Sequence, residues 1–384
     1  MEHNFTGPLY TLGVEEELMI IDAESMELVS AIEEMIEAMP SETEGEVKPE
    51  LMQSVLEIST NVCRNASEAA GQLEELRRRV RETAESRGLT IGSAGTHPFA
   101  KWEEQRIVDR PRYLEVVDAL RFVARQELLF GLHVHVGIDD PEKAIHVANG
   151  MRVHLPILLA LSSNSPFWRG VPTGLMSTRT PIFKTFPRVG VPPRYESWAD
   201  FRARVEFMVE AKAVEDYTYF WWDVRPHPNL GTVEVRVCDA QTRLEHTMAL
   251  TALIQAMCKE LAEHYEAGYA LGTYPQEMLE ENKWLAARYG LEGELVDLPQ
   301  SVRCTSADLA RRLVDRLRPH AEDLGSAREF EGIEDLIERG TGAQRQLAVW
   351  RAERDVRALV RKIVEATAHG VTGRVAGADT AAGA

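Results

Sequence analysis

Apolar and polar residues alternate with period two in three well-separated stretches. In YTLGVEEELMII (10–21), Leu12, Val14, Leu18 and Ile20 fall on one face with Glu16 among them, and Gly13, Glu15 and Glu17 fall on the other. In GLHVHVGI (131–138), Leu132, Val134, Val136 and Ile138 share one face, leaving His133 and His135 together opposite. In GTVEVRVCD (231–239), Val233, Val235 and Val237 share one face, leaving Thr232, Glu234, Arg236 and Cys238 opposite. Each stretch reads as a strand with one apolar and one polar face. A fourth strand, SVLEIST (54–60), carries Glu57 between Leu56 and Ile58. Glu50 lies seven residues earlier and cannot share its face, so one of the two belongs to a loop.

Helical periodicity separates these strands. The stretch 67–88 has Ser67 as its expected N-cap, Leu73, Leu76, Val80 and Ala84 as its apolar stripe, and Gly88 just past its end. Its Arg and Glu residues read as a solvated face. A second long helix is expected from about His246 to Leu271, with Leu250, Leu253, Ile254, Met257 and Leu261 inward, and most of the C-terminal third is helical in pattern. Between 162 and 193 runs a segment dense in Pro, Gly and Ser that also carries Phe167, Trp168, Phe183 and Phe186, the pattern of an ordered functional loop. No linker and no internal repeat interrupts the chain. The expectation is an α+β fold, one domain over 1–368 with a helical C-terminal region, and a disordered tail over 369–384.

Composition narrows the partners. At 384 residues and 44% hydrophobic content the chain can bury a sizeable core. Its 43 Lys and Arg against 61 Asp and Glu give a formal net charge of -18, which repels phosphate backbones and anionic lipid; neither nucleic acid nor membrane is expected as a partner. An anionic substrate would need local arginines or bound cations. Cys63, Cys238, Cys258 and Cys304 lie far apart without CxxC pairing, which suggests a reducing compartment and no zinc knuckle. The opening MEHNFTGPLY lacks signal-peptide regions and no apolar run approaches ~20 residues, so the cytoplasm is the expected location.

A solvated strand face is polar as a matter of course, and any one of the three stretches could be no more than that. Together, however, their polar faces collect Glu, Glu, His, His, Glu and Arg, with glycines nearby that allow close approach of a ligand. Oxygen ligands with one or two imidazoles and no thiolate suit Mg²⁺ or Mn²⁺ rather than structural zinc. Arginine beside such a set suits phosphoryl transfer from ATP. Arg236, Arg225 and Arg179 are the candidates, each with a structural salt bridge as its alternative reading. Cys63, next to the EIST run, reads as a small core residue.

With these residues assembled, the chain resembles the carboxylate-amine ligases of the glutamate-cysteine ligase type 2 family (the YbdK-like group) and, more distantly, glutamine synthetase. LGVEEEL, ELMQSVLEIST, GTHPF, GLHVHVGI, SSNSPFWRG, STRTP, WWDVRPHP and GTVEVRVCD carry the resemblance, in that order, over most of residues 10–240. It implies a glutamine-synthetase-like catalytic domain in which a curved, mostly antiparallel sheet backed by helices forms a funnel for ATP, a carboxylate and Mg²⁺ or Mn²⁺. Carried over position by position, Glu15, Glu17, Glu50, Glu57, His133 and Glu234 look like metal ligands. His135 looks like a phosphate or substrate contact, Arg236 like the arginine that stabilises the transferring phosphoryl group, and Arg225 and Arg179 like further phosphate or substrate contacts. The implied reaction joins a carboxylate, with glutamate expected, to an amine or amino acid through an acyl phosphate, and the implied assembly is a homodimer. Three other readings stand beside it: a phosphagen-kinase-like phosphotransferase, a metal-dependent amide hydrolase, and a non-catalytic nucleotide sensor.

Overall fold

The structure, a computed structural model, describes residues 1–39 and 44–369. Residues 370–384, nearly all of the segment expected to be disordered, lie outside the described residues. Seven strands form one antiparallel sheet: β1 (Leu12–Asp22), β2 (Glu46–Pro49), β3 (Val55–Ser59), β4 (Leu89–Gly92), β5 (Gly131–Gly137), β6 (Val224–His227) and β7 (Thr232–Asp239). Their order is β2-β3-β1-β5-β7-β6, with β4 pairing the far end of β1. Pro226 sits in β6, at the sheet edge, where a missing N–H costs no ladder hydrogen bond.

The apolar faces read from the sequence form the core. Val14, Leu132, Val134, Val136, Val233 and Val235 are fully buried and join one cluster with Leu250, Leu253, Ile254 and Met257. Those four side chains come from a long helix, α4, which spans Leu244–Glu266. It begins two residues before the expected start and stops short of Leu271, because Gly268 takes a φ of +73° and unwinds the last turn. Burying each such aliphatic side chain contributes about 1.5–3 kcal/mol, so this sheet-on-helix layer fixes which strand face is left for chemistry. The other helices used below are α1 (Ala66–Glu85), α2 (Pro141–Met151), α3 (Leu155–Ser162), α5 (Gln276–Tyr289), α6 (Ser306–Asp323), α7 (Gly342–Glu353) and α8 (Val356–Ala368). The long α5 and α6 and the pair α7 and α8 make up much of the helical C-terminal region. Among the described residues, no single helix is long and apolar enough to cross a membrane.

Three local expectations are corrected. Asn65, not Ser67, caps α1: its backbone is extended and its side chain accepts the Glu68 N–H at 3.0 Å, while Ser67 lies within the first turn. Arg77 does not belong to a solvated face. It is fully buried on the stripe of Leu73 and Val80 and grips Glu16, the one fully buried carboxylate of β1, through bonds of 2.8 and 2.7 Å. Its remaining N–H groups donate to the carbonyls of Gln241 and Thr242, and Thr247 Oγ1 also donates to Glu16. Finally, Cys238 faces the core, not the polar side. The pairing slips between Leu132 and Val134, so Arg236 and Val237 together oppose His133, and beyond this bulge the alternation of β7 is reversed.

Candidate active site

Antiparallel register lines the polar residues up in rows. Glu57 of β3 pairs with Glu17 of β1, and Glu15 of β1 pairs with His133 of β5. His135 of β5 then pairs with Glu234 of β7, which in turn pairs with Arg225 of β6. Directly opposed side chains in such a ladder approach closely, so five strands converge on one patch. Glu50, on the turn just past β2, joins it. These side chains line a cavity of about 420 Å³. Nine of the ten residues singled out by sequence therefore meet in one place: Glu15, Glu17, Glu50, Glu57, His133, His135, Arg225, Glu234 and Arg236.

Arg179 is the exception. It is buried beneath the patch and donates to the carbonyls of Arg236 and Val237, the two bulged residues, at 3.3 and 3.4 Å. Room for its guanidinium comes from Gly131, where an added Cβ would lie 2.5 Å from Arg179 Nη2 and 2.9 Å from His133 Nε2. The loop that carries Arg179 is held in turn by Asp239, whose carboxylate accepts from Ser165 Oγ at 2.7 Å, Ser177 Oγ at 2.9 Å and Asn164 N–H at 2.9 Å. The 162–193 segment is thus ordered, and its Phe186 lines the cavity.

Crowding of charge splits the carboxylates into two groups. Burial, followed by the neighbouring Glu50, pushes Glu17 up to about 7. Burial, followed by Glu15, Glu50 and Glu17, holds Glu57 well above the usual range, and burial raises Glu50 as well. Glu234 is opposite: although burial disfavours its charge, Arg225 and Arg236 hold it well below that range. Arg225 Nε donates to it at 2.6 Å and Arg236 Nη1 donates to its other oxygen. Glu15 is likewise held low against burial by His135 and His133. Burial, then Arg236, pushes His133 down to about 4, so its imidazole is neutral at pH 7, the form that ligates a cation.

The donor chemistry fits divalent cations. Among the described residues, three groups have ligand atoms within 4.8 Å of one another: Glu15, Glu57 and His133; Glu15, His135 and Glu234; and Glu17, Glu50 and Glu57. Oxygen predominates in all three, as Mg²⁺ or Mn²⁺ requires. His135 adds a buried polar atom without a hydrogen-bond partner among the described residues. Its Nδ1 meets Thr232 Oγ1 at 2.9 Å, whereas Nε2 stands 3.5 Å from Glu15 and 3.9 Å from Glu234, too far for strong hydrogen bonds yet close enough to share a cation. A pH dependence follows. Below pH 7 a cation must displace the proton of Glu17, and His135, raised by Glu234 and Glu15 against its burial, acts in the same direction. Mn²⁺ binding, followed by electron paramagnetic resonance, is expected to be at least about tenfold weaker at pH 6 than at pH 8, with proton uptake as the cation leaves.

A model of glutamate-cysteine ligase family 2 matches residues 11–365. The chain belongs to that family. Membership makes it an enzyme of the ATP-dependent carbon-nitrogen ligase class. A relative from Rubrobacter xylanophilus whose name assigns it to glutamate-cysteine ligase 2-1 is 46% identical over 364 residues, covering 95% of this chain and 96% of its own. One from Sorangium cellulosum, named for glutamate-cysteine ligase 2, is 44% identical over 364 residues, covering 94% and 97%. Among solved structures, the glutamate-cysteine ligase of Francisella tularensis in complex with AMP superposes with a TM-score of 0.66 at 14% identity, over 95% of this chain and 94% of that one. A bifunctional glutathione synthetase from Pasteurella multocida gives 0.65 at 14% identity, over 94% of this chain and 53% of that one. These two likenesses are of fold, and the α+β, glutamine-synthetase-like class expected from the sequence holds.

The cavity contains residues that sequence reasoning missed. Lys48, Arg112, Tyr113, Glu127, Trp221 and His227 also line the cavity. His227 was within reach of the period-two rule, since it lies two residues after Arg225 on the same strand face, with its ring 5.4 Å from that of His135. Glu127 lies before β5 in no periodic pattern. Burial, with Glu50 and Glu17 nearby, raises it well above the usual carboxylate range.

Proposed function

We propose that this cavity joins a carboxylic acid, with glutamate the favoured donor, to an amine through an acyl phosphate. The observation that supports it most is the row of donor groups sharing Glu15 and Glu57 beneath two arginines. In the first step a substrate carboxylate oxygen bonds to the γ-phosphorus of ATP while the bond from that phosphorus to the β-γ bridging oxygen breaks and ADP leaves. In the second, the amine nitrogen attacks the acyl carbon, the bond to the phosphate oxygen breaks, and a proton is lost from nitrogen. Glu15, Glu17, Glu50, Glu57, His133, His135 and Glu234 would hold the divalent cations, which when bound neutralise polyphosphate charge.

The remaining work falls to fixed positive charge. Arg236 carries a buried Nε with no hydrogen-bond partner among the described residues, a donor left over for a phosphoryl oxygen. Its Nη1 is anchored on Glu234 and approaches His133 Nδ1 at 3.5 Å, so the group is set in place before substrate arrives. Arg225 is oriented by Glu234 and by the Thr218 and Phe220 carbonyls at 3.0 and 2.9 Å. Arg179 supports from below, by holding the bulge that aims Arg236. No nucleophilic side chain is needed, since the substrate supplies the nucleophile in both steps.

The experiment supplies ATP, Mg²⁺ and glutamate together with individual amino acids or simple amines, following ADP release and product mass. ADP formation that requires both a carboxylate and a particular amine, with an amide in the product, is expected. ADP release indifferent to the amine would contradict the second step.

A further inference from the structure

A second cavity, of about 270 Å³, lies between the segment that follows β7, the first turn of α4 and the helices α7 and α8. It shares no lining residue with the catalytic cavity. Val349, Leu359 and Ile363 give it an apolar floor, and Arg243, Arg345 and Lys362 contribute three permanent cations. Among the described residues no Asp or Glu lines it, in a chain whose net charge is -18.

The acids that pair with these cations, Glu245, Asp335 and Glu365, lie outside the lining, and the cationic side chains remain 33%, 31% and 51% exposed. Ion pairs that exposed are weak, so an anion entering the cavity competes with them at small cost. Gln346 supplies a second, independent signal. It is 4% exposed and lines the same cavity. Its amide nitrogen donates to Asn164 O and Oδ1, but its Oε1 is buried with no hydrogen-bond partner among the described residues. A buried acceptor without a donor is costly, and a ligand hydroxyl or amine would satisfy it.

We propose that this cavity is a second small-molecule site, for an organic anion that carries a hydroxyl or amine beside its carboxylate or phosphate. The volume takes on the order of ten non-hydrogen atoms. The backbone at its edge is also the backbone that Arg77 grips, since Gln241 and Thr242 give it their carbonyls. Occupancy therefore bears on Glu16, which stands between the site residues Glu15 and Glu17. The inference does not depend on which acid or amine the ligase joins.

Calorimetric titration of the metal-free full chain with L-malate and with glycerol 3-phosphate tests it. Arg112, Arg225 and Arg236 stand among the carboxylates of the catalytic cavity, so the Lys362 and Arg345 variants are what assign any binding to this second cavity. At least one probe should bind saturably with one-to-one stoichiometry, and which one separates the carboxylate from the phosphate source. Lys362→Gln, whose only described ion pair is with an exposed glutamate, or Arg345→Gln should weaken it fivefold or more, while Glu57→Gln leaves it unchanged. Absence of saturable binding by both probes, or binding that neither substitution weakens, overturns the proposal.

Discussion

Glu57→Gln is expected to lower ADP formation by about a thousandfold or more while leaving the metal-free protein as stable as the wild type, or more so. The two halves come from the same geometry. Glu57 belongs to two of the three donor groups, with Glu15 and His133 on one side and with Glu17 and Glu50 on the other. An amide keeps its shape but removes the charge on which both groups rely. The same crowding makes the wild-type carboxylate a burden when no cation is present. Its ionisation is pushed well above the usual range by burial and by Glu15, Glu50 and Glu17, so above the pH at which a glutamate of the unfolded chain loses its proton Glu57 destabilises the folded state, and a neutral Gln does not. Turnover with ATP and Mg²⁺, and thermal melting of the metal-free protein, both at pH 8, check the two halves. A variant that melts well below the wild type would show that Glu57 serves the fold, not the site.

Arg77→Met is expected to cost about 3–5 kcal/mol of folding stability, because it strands the Glu16 carboxylate in the core beside Leu18 and Val14. Both partners of the pair are fully buried, and Arg77 satisfies Glu16 and two backbone carbonyls at once. The double variant Glu16→Leu with Arg77→Met should recover more than half of that loss, since two apolar side chains replace two charges that each needed the other. Denaturant titration of the single and double variants forms the cycle. Losses that simply add would mean that the pair is not coupled.

Much of the site was legible because strand alternation is strict. Leu132, Val134 and Val136 could only be buried together by turning His133 and His135 the other way, and the same logic placed Glu15 with Glu17. Pairing across strands then did what no single stretch could show, by setting Glu15 beside His133 and Glu234 beside His135. Legibility ended where the period broke. A one-residue bulge in β7 turned Cys238 inward with no compositional mark, since pairing register is set by the partner strand. Arg179 lies close behind the cavity, and the sequence of a long loop does not say whether an arginine reaches the cavity or the carbonyls behind it. Glu127 and Lys48 belong to no apolar pattern at all. Arg77 is a different case, because its signal was present: it falls four residues after Leu73 and three before Val80, on the apolar stripe of α1, and Glu16 was the charge set between Val14 and Leu18 on the core face of β1. Two charges on two buried stripes are each other's natural partners.

One measurement bears most directly on acyl phosphate formation in this cavity. Glutamate labelled with ¹⁸O in its side-chain carboxylate is supplied with ATP, Mg²⁺ and an amine that supports turnover, and the phosphate released is analysed by mass spectrometry. Attack of the carboxylate on the γ-phosphorus predicts one ¹⁸O in each phosphate, transferred from the donor as the amide forms. Amide formation with unlabelled phosphate would contradict it, because the carboxylate oxygen would then never have been bonded to phosphorus.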